Sequence, residues 1–534
     1  MKRFIIIFLS YAGIFALGYF GLGVILHFVK PEFKMLPTSV EKILDGENPW
    51  TSEKTSELKS ESFKSQLLGT TNTKQDSIIF TDHYSEEAGI LCFRGNAQRN
   101  APTRGEIDFS PTKVVVDWIF ETKTDYRNTG MGAWGGGSGW TGQALLVSWP
   151  EKIRQKMTFE PDFAAKKTGK EIIIGSLCGE IYFIDFETGK ASRQALSINN
   201  PIKGTVSLDP RLNGLLYVGQ GIKNETRFGS YVFDLVSGKE IFYRSGLEAD
   251  ASRNWGAFDS NSLIDPKSGY WFHPGENGLI YKTKIDKNKT IHEPVKFKYQ
   301  STKNPQQGME ASMAAWKNLG FFGDNGGNVF CVNLQTMKPV WHFDNFDDTD
   351  ASMVIDVENE QPFLYIANEV DKQGATGFAY VRKLNARTGK EIWSQKRQCG
   401  NGLVDGRINS GGVLSTTLIG QKNCSELVYS VFSRTNNSLK GELVAFNKKT
   451  GIEAFTLPLD HFSWSSPIIV YNKKGQGFLF FTDVYGGVYL ANAKTGKLIF
   501  KDKLNALWES SPIADGNRIV IGSRGNKIYS FLLK

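Results

Sequence analysis

The chain has 534 residues, of which 40% are hydrophobic and 13% aromatic; that is enough apolar material for a large core and excludes a disordered chain. Its net charge of +8 comes from 63 basic and 55 acidic residues with no long basic run, so the electrostatic footprint of a nucleic-acid binder is missing. The cysteines Cys92, Cys178, Cys331, Cys399 and Cys424 form no CxxC pair, which gives no support to a zinc ribbon or a thioredoxin motif.

After Met1-Lys2-Arg3, the run from Phe4 to Val29 carries no Asp, Glu, Lys or Arg. As a helix it would span about 39 Å, more than the ~30 Å hydrocarbon core of a bilayer. No clear small-x-small cleavage site follows, so residues 1–30 read as an uncleaved single-pass anchor. The basic N-terminal flank favours a cytoplasmic N-terminus, with the remainder outside the cytoplasm. Residues 31–76 are rich in Ser, Thr, Lys and Glu and read as a polar linker or stalk, with a short helix over Glu53 to Leu68 as the alternative.

From about residue 77 the chain resembles itself. DFETGK begins at Asp185, DLVSGK at Asp234, NLQTMK at Asn333, NARTGKEIW at Asn385, NKKTG at Asn447 and NAKTGK at Asn492. The Asp or Asn opens a turn through its side chain, and the Gly supplies the positive φ of a bulged hairpin. Met337 stands once where the other copies have Gly. The aromatic that follows, as in Trp393, is placed to cover the neighbouring unit. Signature positions 189, 238, 337, 389, 451 and 496 recur at a spacing typical of propeller blades, with a degenerate unit over 269–289 filling the long gap.

Each unit opens with a small-residue segment before its first strand, from GWTGQALLV in the first to SSPIADG in the last, which makes eight units. The last ends at Lys534 with three strands. TKVVVDWIFETKT, Thr112 to Thr124, is a lone strand around Trp118 with no unit of its own. Pairing it with the last unit would close a ring and hide both free edges. The predicted fold is all-β: an eight-bladed propeller of four-stranded blades over 77–534, preceded by one transmembrane helix.

The motif N/D-x-x-T-G-K-x-x-W resembles the repeat of the pyrroloquinoline-quinone-like propellers, and LCFRGNAQRNAPTRG (Leu91 to Gly105) is similar to the segment that precedes the first blade there. Two branches of that family matter. The quinoprotein dehydrogenases imply a quinone stacked over a Trp, a disulfide between adjacent cysteines, and Ca²⁺ held by Glu, Asn and Asp beside a catalytic Asp. This chain has no Cys-Cys dipeptide and no such set that aligns onto its blades, so no catalytic residue is named. The scaffold branch, of BamB type, implies protein binding without catalysis. Scaffolds of that type are lipoproteins with a Cys just after the signal. Here no Cys precedes Cys92, and a lone helix implies an inner membrane, because barrels span the outer one.

The loops entering the inner strands crowd one face of the ring. They carry Trp140, Arg253, Trp255, Glu310, Asp350, Arg407, Trp464, Trp508 and Glu509, which are the candidate binding rim. DNFDDTDAS, with Asp344, Asp347, Asp348 and Asp350, offers oxygen ligands for Ca²⁺ but lacks EF-hand spacing, and reads as a solvated inter-blade loop. MGAWGGGSGWTG precedes a strand and lacks the Lys-Ser/Thr of a phosphate cradle. The histidines show no metal-ligand spacing and no G-x-S-x-G elbow occurs, so no metal site is expected. Cys399 and Cys424 flank the first strand segment of one blade and are the candidate disulfide pair in an oxidising compartment.

The function read from this is a scaffold without cofactor, anchored in the inner membrane, with its propeller on the periplasmic side binding an envelope protein. Two alternatives stand beside it: a quinone- and Ca²⁺-dependent dehydrogenase, and a ligand- or carbohydrate-binding sensor.

Overall fold

The computed structural model describes residues 52–69, 77–81, 84, 89–129, 131–139, 142–223, 227–404 and 407–534. The anchor expected over residues 1–30 lies outside them. Among the described residues no helix is long and apolar enough to cross a membrane.

Eight antiparallel sheets follow one another along the chain, each running from an inner to an outer strand. Blade 1 is built on Leu145–Ser148, Lys170–Gly175, Glu180–Asp185 and Leu196–Ser197. Blade 2 begins at Ser207–Leu208, blade 3 at Leu263–Ile264, blade 4 at Ala314–Trp316, blade 5 at Val354–Glu358, blade 6 at Leu418–Ile419, blade 7 at Ile468–Asn472 and blade 8 at Ile513–Asp515. The central strands of each blade are apolar on both faces, as in Ile172, Ile173 and Ile174, because each sheet packs between two neighbours.

The repeated string is the corner between the third and fourth strands. In blade 5 the Asn385 side chain accepts from the backbone N–H of Arg387 (3.0 Å) and Thr388 (3.2 Å), and Gly389 sits at φ +71°. Met337 takes the same left-handed conformation at φ +54°, so it is the equivalent of Gly. Lys289, at φ +71°, plays that part in the degenerate blade 3.

The fourth residue after the signature Gly spans to the next blade. Trp341 of blade 4 lies over Gly389 of blade 5 and donates its indole N–H to the Ala386 carbonyl at 2.9 Å. Trp393 of blade 5 covers Gly451 of blade 6 and donates to the Lys448 carbonyl at 2.9 Å. A methyl group on Gly389 would sit 2.7 Å from the Trp341 ring, so only Gly permits this stacking.

Ring closure follows the same rule. Val114–Glu121 pairs antiparallel with Lys527–Leu533 as the outer strand of blade 8, with Trp118 opposite Ser530. Trp118 then covers Gly189 of blade 1 and donates to the Phe186 carbonyl at 3.2 Å. The first and last blades are thus joined by the device that joins the others.

The axis is filled by Leu91–Arg104. Arg99 is fully buried and donates to the carbonyls of Met313 (2.7 Å), Phe93 (2.8 Å) and Asn261 (3.1 Å). Arg94 reaches the Pro467 carbonyl of blade 7 at 3.0 Å, and Ile355 of blade 5 donates its N–H to the Gln98 carbonyl at 2.9 Å. Short parallel pairings of Thr103–Arg104 with blade 8 and Glu106–Ile107 with blade 7 carry the segment out to the rim.

Two expectations need correction. The helical alternative over Glu53 to Leu68 does not form: Phe63–Leu68 is a strand that adds to the outer edge of blade 3 against Val295–Ser301, with Phe63 buried. Its polar sequence suits an edge strand with one face in water. Cys399 and Cys424 are free, because they lie in different clusters on opposite sides of blade 6. Burial among apolar side chains pushes the Cys399 thiol up to about 12.

Candidate functional site: an acidic funnel

The segments joining one blade to the next, and the hairpins between second and third strands, open onto a single face. Six carboxylates converge there from blades 3, 4 and 5: Asp259, Glu276, Glu310, Asp348, Asp350 and Glu369. They form two groups, Asp259–Glu276–Glu310 and Asp348–Asp350–Glu369. In each group, one oxygen per residue lies within 4.8 Å of the others.

The first group has cationic partners. The buried Lys203 pairs with Asp259 and lies 3.9 Å from Glu310. Burial alone would lower the Lys203 amine, but Asp259, Glu310 and Glu276 outweigh it and hold the group charged. Burial lifts Asp259 to about 6 against the pull of Lys203. Trp255 donates its indole N–H to Glu276 at 2.8 Å, and Asn325 donates to Glu310 at 3.1 Å while accepting from Arg253 at 3.3 Å.

The second group is held by backbone. Asp347 accepts from the N–H of Asp371 (3.1 Å), the N–H of Lys372 (3.0 Å) and the Gln373 amide (2.9 Å). Glu369 donates its N–H to the Asp348 carbonyl at 2.9 Å. These bonds tie the loop before blade 5 to the hairpin of the same blade. Gly412, at φ +94°, lets blade 6 lie against this hairpin; a methyl there would be 2.6 Å from Glu369 Cα. Burial pushes Asp348, Asp350 and Glu369 well above the usual carboxylate range, and the carboxylates around them add to it, against a weaker pull of Lys372 on Asp348 and of Lys203 on Asp350.

The loop expected to be solvated is therefore largely buried: Asp347 and Asp348 are inside, Asp350 is half-buried, and only Asp344 faces water. Backbone N–H groups pull Asp347 inward, and the chain carries Asp348 with it.

Of the candidate rim residues, Arg253, Trp255, Glu310 and Asp350 do meet in the funnel. Trp464 lines its wall with Leu414 and donates its indole N–H to the Ser410 carbonyl at 3.0 Å. Glu509 lies nearer blade 8 and pairs with Arg524 at 2.9 Å. Trp508 is not a rim residue. It is fully buried against Tyr529 and Phe531, because the loop turns its side chain into the core between blades 7 and 8. Trp140 lies outside the described residues, and Arg407 has only its backbone described, on a short strand paired with Leu403–Val404.

Lys203, Asp259, Glu276 and Glu369 were missed by sequence reading. Lys203 precedes blade 2, Asp259 and Glu276 belong to blade 3 and Glu369 to blade 5, and they fall together only once the blades are aligned strand by strand.

The cavity at the funnel floor, between Phe93 of the axial segment, Asp259, Glu310, Asp350 and Trp464, has a volume of about 30 Å³. That is room for about two waters or a cation.

No family model matches the chain, and no curated protein matches it. Its fold is similar to that of BamB from Moraxella catarrhalis, at 15% identity and a TM-score of 0.46 over 73% of this chain and 96% of that one. It is similar also to a europium-containing methanol dehydrogenase, at 13% identity and a TM-score of 0.42 over 83% and 98% of the two chains. A third similar structure is the computationally designed Ika8 protein, at 12% identity and a TM-score of 0.40 over 68% and 93%. The fold itself defines the class: an eight-bladed β-propeller whose axis is filled by its own chain.

Proposed function

We propose that this chain is a non-catalytic binding scaffold whose funnel face receives a protein partner bearing basic groups. The observation that carries the reading is an apolar rim around an acidic floor. Tyr126, Phe346 and Leu403 are 74%, 58% and 70% exposed on the inter-blade segments of the funnel face, and Leu247, Met131 and Tyr485 are exposed on that face too. Phe346 is held at φ +80°, a strained conformation for a bulky residue, with its ring edge-on to Tyr380 and more than half exposed. Large exposed apolar groups on the same face as a charged depression are the composition of an interface. The reading includes attachment to the inner membrane through the apolar run Phe4–Val29, with the propeller on the periplasmic side and an envelope protein as partner.

A photo-crosslinking residue at Phe346, with Lys449 on the opposite face as control, tests it in intact membranes. A discrete adduct from position 346 and none from 449 is expected. Equal labelling from both, or none from 346, removes the reading. Dye reduction with an alcohol or sugar after adding quinone and Ca²⁺ would remove its non-catalytic part.

A further inference from the structure

We propose that Asp348, Asp350 and Glu369 form a binding site for a hard divalent cation, Ca²⁺ by preference. The argument is independent of the partner reading and starts from what these side chains lack. Asp348 is 6% exposed and Glu369 5% exposed, yet Asp348 Oδ1 and Glu369 Oε2 have no hydrogen-bond partner. Asp350 Oδ1 is in the same condition. Among the described residues no salt bridge reaches any of the three. Asp348 Oδ2 accepts a long bond from the Asn325 amide at 3.4 Å; buried carboxylates so poorly compensated are costly, and three side by side multiply that cost by mutual repulsion. The first acidic group marks the contrast, since it has Lys203.

The geometry suits a cation. Two oxygens bound to one Ca²⁺ lie no more than about 4.8 Å apart, twice the ~2.4 Å bond. One oxygen from each of the three carboxylates falls within that span. The backbone bonds of Asp347 and Glu369 hold the two loops together without help from the ion, so the ligands are pre-positioned. Asp350 is half-buried and faces the small cavity, which leaves room for waters to complete a shell of about six to eight oxygens. An all-oxygen set of this charge selects Ca²⁺ over softer metals, and Ca²⁺ accepts irregular geometry more readily than Mg²⁺. The ligands differ from the Glu, Asn and Asp set implied by the dehydrogenase resemblance: all three are carboxylates, carried on two loops of one blade.

The test uses the full-length chain, purified in detergent and stripped with EDTA, then titrated with Ca²⁺ by calorimetry and followed by thermal unfolding. One Ca²⁺ per chain and a raised unfolding midpoint are expected. Asp348→Asn and Glu369→Gln should each weaken Ca²⁺ binding at least tenfold. Asp344→Asn, in the exposed part of the same loop, should leave it unchanged. The near-isosteric Asp348→Asn also removes repulsion, so without Ca²⁺ its midpoint should be no lower than that of the parent chain. Absence of heat and of any midpoint shift at about 10 mM Ca²⁺, above the range of weak extracellular modules, overturns the proposal. So does equal Ca²⁺ binding by the parent chain and a folded Asp348→Asn.

Discussion

The two faces of this propeller solve different problems. On the face of the signature turns, one solution recurs: an Asp or Asn closes a turn, a left-handed residue follows, and an aromatic from the preceding blade lies over it, as Trp341 does over Gly389, Trp393 over Gly451 and Phe455 over Gly496. On the funnel face nothing recurs. Lys203, Asp259, Glu276, Asp348 and Glu369 come from blades 2, 3 and 5 at different chain spacings, and half of the acidic floor has no salt bridge among the described residues. The turn face spends its repeated residues on joining blades. The funnel face retains buried charge that weakens the fold, which is the usual mark of a site kept for binding.

The comparison breaks most directly at the closing junction. Trp118→Ala should destabilise the chain by about 3–5 kcal/mol, because it removes a large buried side chain at the junction that completes the ring. Urea unfolding measures this; a loss below about 1 kcal/mol would mean that Trp118 carries none of the closure.

A middle-sized effect should appear with pH. Asp324, in a buried turn of blade 4, is lifted by burial to about 7, and Asp259 to about 6. Both titrate near ~3.9 in the unfolded chain. At these two groups the native state holds more protons than the unfolded state between about pH 4 and 7, so their contribution to stability falls as pH rises, against the opposite pull of buried His273 and His342, which burial lowers to about 3 and 4. Asp324→Asn should remove part of that fall, so the difference in unfolding midpoint between the variant and the parent should grow in the variant's favour from about pH 5.5 to about pH 7.5; a difference independent of pH would contradict the assignment.

The smallest expected change lies on the turn face. Asn359 and Glu360 form the two-residue turn between the first strands of blade 5, at φ +50° and +65°. Glu360 is exposed, so Glu360→Gly should relieve strain and stabilise by up to about 1 kcal/mol in the same urea assay.

The contrast also explains what could be read in advance. Met337 was recognisable as a Gly substitute because its neighbours Asn333 and Trp341 keep their spacing, and Trp118 was recognisable as a blade strand without a blade. Both follow from local chemistry repeated many times. The strand Phe63–Leu68 was not legible, since its β-structure comes from a partner edge more than two hundred residues away. Trp508 was assigned to the correct loop, but the loop's face does not fix the direction of each side chain, and an apolar contact with Tyr529 won. The acidic funnel was half legible. Asp350 and Glu310 were named from their loops, whereas the burial of Asp348 depends on how Asp347 is captured by a hairpin further along the chain.

The strand that completes blade 8 has a consequence for biosynthesis. Thr112 bonds to Lys534 across 422 positions of sequence, so a segment made early must wait for one made far later. Until blade 8 has been made and has left the ribosome, the axial segment and the strand of Trp118 lack their partners, and that exposed edge invites pairing with other chains. Nascent chains stalled before blade 8 should therefore depend on a holding chaperone in a way that the released protein does not.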